Sequence, residues 1–588
     1  MNLVQTDRDA LRTLQSLFKA KHVAIDCETT GLNYAKDRLL GFSLAWRQED
    51  GTVRTAYVPV GHLEGLFARN CPAVAAKRIL IEVFEHPLLF HNAGFDIVFL
   101  KQLYPKAKLE RFFDTRVAAR LLGLEAPGVT KPSVALLALH MFHCGKEGKQ
   151  FQDMKRERGK FRLRSADQVC EYAENDARMT YELAFELLSP AAEQRELWAV
   201  EQDFIRLLSK MSARGLLLDR EFIERKRVEF TQRMHEVARE LRRKGLREVG
   251  RRNSEVSFLH GHLKLSLPET EGGSLSVAKG VLEEHKDIEE VALILEWREL
   301  MKAMSSWLDP FPLMTDDNRR LHPHLDAAGT VSSRISCSEP NLQAVPMSDR
   351  GLSYGSLKGM FTAPPGFALI TFDYKQADLR VATMYAKENR MAAIFASGED
   401  PYVGMAEAIW RGEKVTPERR FLAKRVSLAT VNAIGAWELA KNVRELDEEE
   451  AERLLKQHRK IFPGFVKASR YCAQYVKGHG FIPLWTGRKL TLHDTEDTEL
   501  RKKSYSRLVQ GGVAEMVKKA MIDVNQLLWN KKSALSLQIH DSLVLEMAES
   551  ERSLIPDIQK IMAHALPHDL MLKTNPPTPM IVEVGRWS

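Results

Sequence analysis

The chain has 588 residues, 44% hydrophobic and 28% charged, with 86 Lys and Arg against 78 Asp and Glu for a formal charge of +8. That length exceeds one ordinary core and fits two or three domains, and the composition is that of a folded soluble protein, which excludes a disordered chain. The basic excess suits a polyanionic partner without requiring one, since many proteins that bind no polyanion are equally basic.

The N-terminal MNLVQTDRDALRTLQ is polar and lacks the apolar stretch of a secretory signal. Residues 21–27 (KHVAIDC) read as a short strand ending in carboxylates. LLGFSLAWR and TAYVPV follow as strands, and HPLLFHNAGFDIVFL as strand, turn and helix start. From there to residue 190 the periodicity is mostly helical, through VAARLL, PSVALLALHMF and ADQVCEYAENDARMTYELAFELL. Strands first and helices after predict a compact α/β domain, with Pro190 as its boundary.

From 193 to 247 the pattern predicts long helix, broken at Gly215, with a basic cluster of Arg239, Arg242, Arg243, Lys244, Arg247, Arg251 and Arg252. Glu240 and Glu248 make a solvated charged face an equal alternative to a phosphate-binding one. The polar segment 262–280 reads as a loop-rich tip, and helix returns over 281–309. A mixed region leads to the strand FALITFDY. Helices then dominate until KKSALSLQIHDSLVLEM, two apolar strands around an Ile-His-Asp-Ser turn, and the helix SLIPDIQKIMAHAL and strand MIVEV close the chain. There is no internal repeat. Cys27, Cys71, Cys144, Cys170, Cys337 and Cys472 form no CxxC pair, which argues against a disulfide scaffold or structural zinc and fits a reducing compartment. No run approaches the roughly 18 apolar residues of a membrane span. The expected setting is cytosolic, or the host cytosol for a viral protein, with no membrane partner.

Two sets of residues carry chemistry. In the first, Asp26 and Glu28 share one face of a strand end, being two apart. Asp96 opens a helix, and Tyr172 and Asp176, four apart on a helix, sit one above the other. Two-metal hydrolysis of a phosphodiester needs hard oxygen ligands held close together and a group to align the attacking water. The four carboxylates supply the first and Tyr172 the second, although each acid alone reads better as a surface carboxylate or a helix cap. As a set, in DCETTG, HNAGFDIVFL and YAENDARMT, they resemble the DEDDy proofreading 3′→5′ exonucleases over residues 15–190. The resemblance implies an RNase H-like domain. All five positions are present and in order, so activity is expected, unlike in relatives that keep only the shell of this domain.

In the second set, Asp373 ends the strand ALITFDY and Asp541 sits in the turn between two apolar strands, where a rigid sheet can place them side by side. Phosphoryl transfer from a nucleoside triphosphate needs carboxylates for a Mg²⁺ pair and cations for the leaving pyrophosphate. The cations come from TPERRFLAKRVSLATVNAIG: Thr416 is the expected N-cap, Pro417 the first helical residue, and Glu418 lies in the first turn. Arg420, Lys424, Leu428 and Asn432 then follow at intervals of four along one face. A basic surface helix is the plain alternative.

These segments resemble the polymerase domain of the Pol I-like (family A) DNA polymerases across residues 195–588. TVSSRISCSEPNLQAVP is similar to the family's segment before the first catalytic strand, FDYKQADLR to motif A, RRFLAKRVSLATVNAIGAW to motif B and QIHDSLVLEM to motif C; VQGGVAEMVKKAM resembles its glutamine helix. The resemblance implies that Asp373 and Asp541 bind two Mg²⁺ ions, with Mn²⁺ as a substitute, and likewise Asp26, Glu28, Asp96 and Asp176 at the exonuclease centre. It implies that Arg420 and Lys424 hold the incoming dNTP, with Lys424 a proton donor to pyrophosphate. Leu428 stands where the family has an aromatic ring against the sugar and base, and Asn432 where it has a tyrosine. Arg334 and Gln510 resemble minor-groove readers of the primer–template, His540 would approach the primer end, and Thr330, Asn341 and Gln343 match DNA-contacting positions. Asp378 replaces the usual Glu, Ala433 a Gly, and Ser542 a Glu, which bears on selectivity and speed. Asp378 and Asn432 are both shorter than the family's residues, so a carboxylate–amide pair between them is expected.

The implied architecture is an α/β multidomain chain. An exonuclease domain at 1–190 precedes a right-hand polymerase with thumb 195–320, palm 321–380 and 501–588, and fingers 381–500. The thumb would bring Arg242, Arg243 and Arg247 to the duplex backbone. A monomer acting on primer–template DNA is expected, with accessory replication proteins as further partners. No 5′ nuclease domain and no processivity-partner insertion fit within these residues, so phage or viral genome replication is the expected role and bacterial repair the alternative. Two rivals remain: a nuclease whose polymerase half only grips DNA, and a non-enzymatic scaffold for primer ends. Each would have to explain an intact second set of carboxylates and cations.

Overall fold

In the computed structural model, residues 2–63, 69–124, 164–270, 272–346, 354–443, 446–493 and 496–587 are described. The predicted helix in PSVALLALHMF, and Cys144, lie outside them. Backbone contacts divide the chain into two units. The first holds Met1–Gly215, His322–Glu339 and Ile370–Gly585, and the second Leu216–Leu321, Pro340–Leu369 and Arg586–Ser588.

The first unit opens with α1 (Asp7–Leu17) and a five-stranded sheet of β1 (Val23–Thr29), β2 (Leu39–Arg47), β3 (Val53–Pro59), β4 (Leu88–Phe90) and β5 (Phe112–Asp114), in the order β3-β2-β1-β4-β5. β3, β2 and β1 pair antiparallel, whereas β4 and β5 run parallel to β1. Helices α2 (Ala73–Glu85), α3 (Ala93–Leu103), α4 (Thr115–Leu121) and α5 (Ala166–Ala192) complete this part. β1 is buried on both faces, so its apolar run is nearly continuous. Val23 and Ile25 join Phe42, Ile79, Leu80 and Val83 on one side, while Ala24 joins Ala45, Ala177, Leu183 and Leu187 on the other. Small residues on the second face let the long helix α5 lie close against the sheet. Each fully buried Leu or Ile here stabilises the fold by roughly 1.5–3 kcal/mol.

Ser165 and Gln168 form a reciprocal capping box at the start of α5. Pro190 lies inside the last turn of that helix rather than at its boundary. So near the C-terminus its missing N–H removes one hydrogen bond, and the chain breaks only at Glu193 and Gln194 before α6 (Arg195–Arg214). At Gly215, φ 66° and ψ −178° suit glycine, and α6 stops there.

The second unit begins with β6 (Leu216–Leu218), a three-residue strand where the sequence pattern shows only a break in a helix. Pairing with Arg320–Leu321 and Phe361–Thr362 makes it the centre of a small sheet. α7 (Arg220–Arg243), N-capped by Asp219, packs with α8 (Glu289–Ala303) around Val237, Leu241, Leu259, Val291 and Ile294. Arg233 bridges the two helices to Glu296 at 2.7 Å.

The first unit resumes at Ile370 within β7 (Phe367–Tyr374) and continues through α9 (Ala377–Ala386), α10 (Pro401–Ile409), α11 (Pro417–Val431), the 31-residue α12 (Asp497–Leu527), β8 (Ala534–Ile539), β9 (Ser542–Ala548) and, as far as Gly585, β10 (Val582–Arg586). These strands form a second sheet, ordered β8-β9-β7-β10. Beneath it lies a buried set of two acids and two bases. Arg488 and Lys518 both bond to Glu201 of α6 and to Glu515 of α12, with Arg488 Nε 2.8 Å from Glu515. Opposite charges in equal number are what allow four ionised groups to stay out of water. Among the described residues no helix is long and apolar enough to cross a membrane.

Candidate active sites

The first site forms at the end of β1. Asp26 and Glu28 point to one face, and Asp176 reaches them from α5, so that one carboxylate oxygen of each lies within 4.8 Å of the others. Asp96, in the first turn of α3, is buried beside them and its Oδ1 accepts from the Cys27 N–H at 2.9 Å. Burial, and then the charge of Asp26, pushes the Asp96 carboxyl well above the usual carboxylate range. Tyr172 stands one turn before Asp176 and packs on Leu40. All five sequence-predicted residues therefore lie in one locality, with three of them in ligand geometry. Crowded carboxylates out of water repel one another unless a cation joins them, and an all-oxygen donor set is what Mg²⁺ or Mn²⁺ takes. The residues fit a divalent ion.

The sequence pattern missed Asp114. This buried carboxylate accepts from the backbone N–H groups of Ala93 (2.7 Å), Asn92, Arg116 and Val117. It caps α4 and pins the turn that presents Asp96. The Asp-Thr pair that opens VAARLL was its only signal, that of a helix N-cap.

The second site forms where β7 and β8 end and β9 begins. Asp373 lies one residue before the end of β7, and Asp541 sits in the turn between β8 and β9. Burial raises the Asp541 carboxyl to about 7, with Asp373 and then Asp378 pushing the same way and Arg334 opposing. The two aspartates thus share one electrostatic centre. Ser542 donates its hydroxyl to Asp373 Oδ1. Two coupled, part-buried carboxylates fit divalent cations, although among the described residues only the first site gathers three such ligands.

Around this centre, Thr330 donates to the carbonyl of Arg334 at 2.7 Å and so shapes the loop that carries it. His540 adopts φ 54° and lines a cleft with Arg334, Ser333, Gln538 and Lys518. Gln510, half-buried on α12, donates to Ser506 at 3.1 Å.

On α11 the local expectations hold: Thr416 caps the helix by accepting from the Arg419 N–H, Pro417 is the first residue, and Glu418 lies in the first turn. Arg420, Lys424 and Leu428 share the helix, but it stops at Val431 and Asn432 is its C-cap. The expected Asp378–Asn432 pair is absent. The Asn432 amide donates to the Leu428 carbonyl at 2.9 Å, an acceptor left over at a helix end. Asp378 instead accepts from Arg334 at 3.4 Å, because a guanidinium draws a carboxylate more strongly than a neutral amide does. Two residues outside motif B also went unseen: Asp400 holds Arg420, and the ring of Tyr402 lies against both Arg420 and Lys424.

In the second unit, Asn341 caps the short turn Leu342–Ala344 by accepting from the Gln343 N–H at 3.1 Å. Arg242 and Arg243 end α7 and, with Arg247, are exposed. The wider basic cluster does not act as one surface. Lys244 pairs with Glu289 and Glu290, and Arg252 donates to the Leu275 carbonyl.

Residues 220–586 match the family model "DNA polymerase family A", and residues 1–190 match "3′-5′ exonuclease". The chain is 26% identical over 571 residues to "DNA polymerase I" of Chloroflexus aurantiacus, covering 93% of this chain and 59% of that protein. It is 26% identical over 604 residues to that of Pseudomonas aeruginosa, covering 97% and 64%. The thermostable "DNA polymerase I" of Thermus filiformis is 28% identical over 425 residues, covering 69% and 49%. The chain thus spans less than two thirds of the length of these relatives. Among solved structures, its fold is similar to the "POL domain of Pol1 from M. smegmatis complex with DNA primer-template and dNTP". The TM-score is 0.78 at 19% identity, covering 100% of this chain and 99% of that one.

Proposed function

Since the chain belongs to DNA polymerase family A and carries a 3′–5′ exonuclease-type domain ahead of its helical polymerase domain, we propose that it copies a DNA template from dNTPs and proofreads the product. The observation that carries this reading is the presence of two separate carboxylate centres, one at the end of β1 and one at the ends of β7 and β8. A nuclease or a DNA-gripping scaffold would have no use for the second. The M. smegmatis structure, by its description a complex with primer–template and dNTP, supports the same partners for this chain.

In this reading Asp373 and Asp541 hold the divalent ions, which when bound neutralise charge on the attacking and leaving oxygens. Arg420 and Lys424 draw the triphosphate along α11, and the Lys424 ammonium can give its proton to the departing pyrophosphate. Leu428 and the Asn432 end of the helix border the sugar and base. Arg334, Gln510, His540, Thr330, Asn341 and Gln343 line the path of the primer–template, and Arg242, Arg243 and Arg247 grip its backbone. At the other centre Asp26, Glu28, Asp96 and Asp176 hold ions and Tyr172 aligns the water for removal of a mispaired 3′ nucleotide.

The domain reading is exonuclease 1–190, thumb 195–320, palm 321–380 with 501–588, and fingers 381–500, supported by the two matched stretches. The relatives named above are bacterial, which favours cellular replication or repair over the phage or viral role expected from sequence. The five described cysteines are free thiols, in keeping with a reducing cytosol. Extension of a labelled primer with Mg²⁺, with and without the four dNTPs, tests the function: lengthening with dNTPs and shortening without them are expected. Shortening alone would leave the nuclease reading.

A further inference from the structure

Asp400 uses its two carboxylate oxygens for different tasks. Oδ1 accepts from the Tyr402 N–H at 2.8 Å and caps α10, while Oδ2 takes Nε of Arg420 at 3.0 Å and also Nη2 of the same guanidinium. The first bond fixes the carboxylate to a helix end. The second occupies the guanidinium edge that a phosphate would use, since carboxylate and phosphate compete for the same forked donors. Tyr402, almost fully buried, lies beneath both cations, its ring centre 5.6 Å from the Arg420 guanidinium and 5.5 Å from the Lys424 ammonium. Both positive groups are thereby backed on one side by the same ring. The ion pair itself is half open to solvent, with side chains 43% and 35% exposed, and pairs of that kind are weak and exchange readily.

We propose that Asp400 is a positioning residue that guards Arg420, so that an incoming nucleoside triphosphate must take the guanidinium over from the Asp400 carboxylate and binds more weakly for it. This rests on the polymerase reading of α11. Two effects act together. The triphosphate has to displace an existing ligand, and the capped carboxylate stays in place afterwards, one negative charge close to a polyanion. Pyrophosphate meets the same opposition, so the guard also hastens its departure. A short or weakly charged anion gains too little from Arg420 and Lys424 to make the exchange.

Asp400→Asn keeps a capping oxygen and removes the charge. With a dideoxy-terminated primer, where dNTP binds without reacting, the dissociation constant for the next correct dNTP should fall about fivefold. Inhibition by inorganic pyrophosphate should tighten in parallel, and in turnover KM should fall without a rise in kcat. Asp400→Ser, which caps but carries no charge, should do the same and guards against a folding artefact in either variant. In an Arg420→Ala background the effect of Asp400→Asn should shrink, because the competition is for that guanidinium. If Arg420→Ala leaves dNTP binding unaltered, the polymerase reading of α11 is wrong. If Arg420→Ala weakens binding but neither Asp400 variant tightens it, the guard alone is overturned.

Discussion

Ser542 donates its hydroxyl to Oδ1 of Asp373, at the mouth of the turn that carries Asp541. The family's glutamate at this position would add a third negative charge; the serine instead orients one that is already there. One oxygen of Asp373 is thereby occupied, and in the polymerase reading the other would face an ion. Ser542→Ala should raise the Mg²⁺ concentration needed for half-maximal extension by about three- to tenfold and weaken Mn²⁺ binding measured by calorimetry. Ser542→Thr, which keeps the hydroxyl, should restore both. Equal metal dependence in parent and alanine variant would show that the serine hydroxyl does not matter to the ion.

The two chemistries should come apart. Asp26→Ala with Glu28→Ala should abolish trimming of single strands from the 3′ end while extension continues, since the trio that those residues share with Asp176 lies at the other sheet. Asp541→Ala should stop extension and spare trimming. Trimming at the parental rate in the double variant would remove the proofreading assignment.

For the exposed arginines at the end of α7, replacing Arg242, Arg243 and Arg247 by Ala should weaken binding to unrelated duplexes by similar factors. The slope of log affinity against log salt should become shallower by about one for each phosphate that is no longer neutralised. An unchanged slope would return these residues to an ordinary solvated surface.

Leu428 has no hydroxyl to stand in for the sugar 3′-OH. The parent should therefore discriminate against dideoxynucleotides, and Leu428→Tyr should relax that discrimination. A competition assay giving equal dideoxy incorporation by both would mean that Leu428 does not face the sugar.

His458 is buried among Phe462 and Phe465, and its ring nitrogens have no hydrogen-bond partner. Burial, then the charge of Arg459, lowers its pKa to about 3. A depressed imidazole is neutral in the fold while the unfolded chain takes up a proton below 6.5. Stability from this group is thus present above pH 6.5 and lost as the pH falls toward 3. At pH 5 the loss is about 2 kcal/mol. His458→Phe should reduce by that order the stability lost between pH 7.5 and pH 5 in urea unfolding. An identical acid sensitivity in the variant would show that His458 is not what the acid acts on.

The acids of both carboxylate centres were legible because Asp26, Asp373 and Asp541 follow apolar runs, Asp96 starts a helix and Asp176 lies one turn after Tyr172 on another, and strand and helix periodicity place such residues without tertiary knowledge. What stayed hidden is held by contacts between distant segments. Asp400 looks like any N-cap until Arg420 is seen on it, and Asp114 like any turn former until the turn before Asp96 closes over it. A spacing of four puts Asn432 on the Arg420 face but cannot say where the helix stops. That is decided by Ala433 at φ 51° and by the Ile434 N–H returning to Ala429 at 2.8 Å. The run LLL at 216–218 suits helix or strand alike, and only its two partner strands make it β6.

The buried set of Glu201, Arg488, Glu515 and Lys518 bears on where the molecule can be cut. The polymerase-family match starts at residue 220, beyond Glu201, so a fragment trimmed to that match would keep both bases and only one acid. Arg488 and Lys518 would be left with Glu515 alone and without the helix packed beside them, a surplus positive charge in the fragment's own floor. Severed there, the polymerase-family half loses part of its own foundation, because α6 belongs to it electrostatically however the sequence families divide the chain.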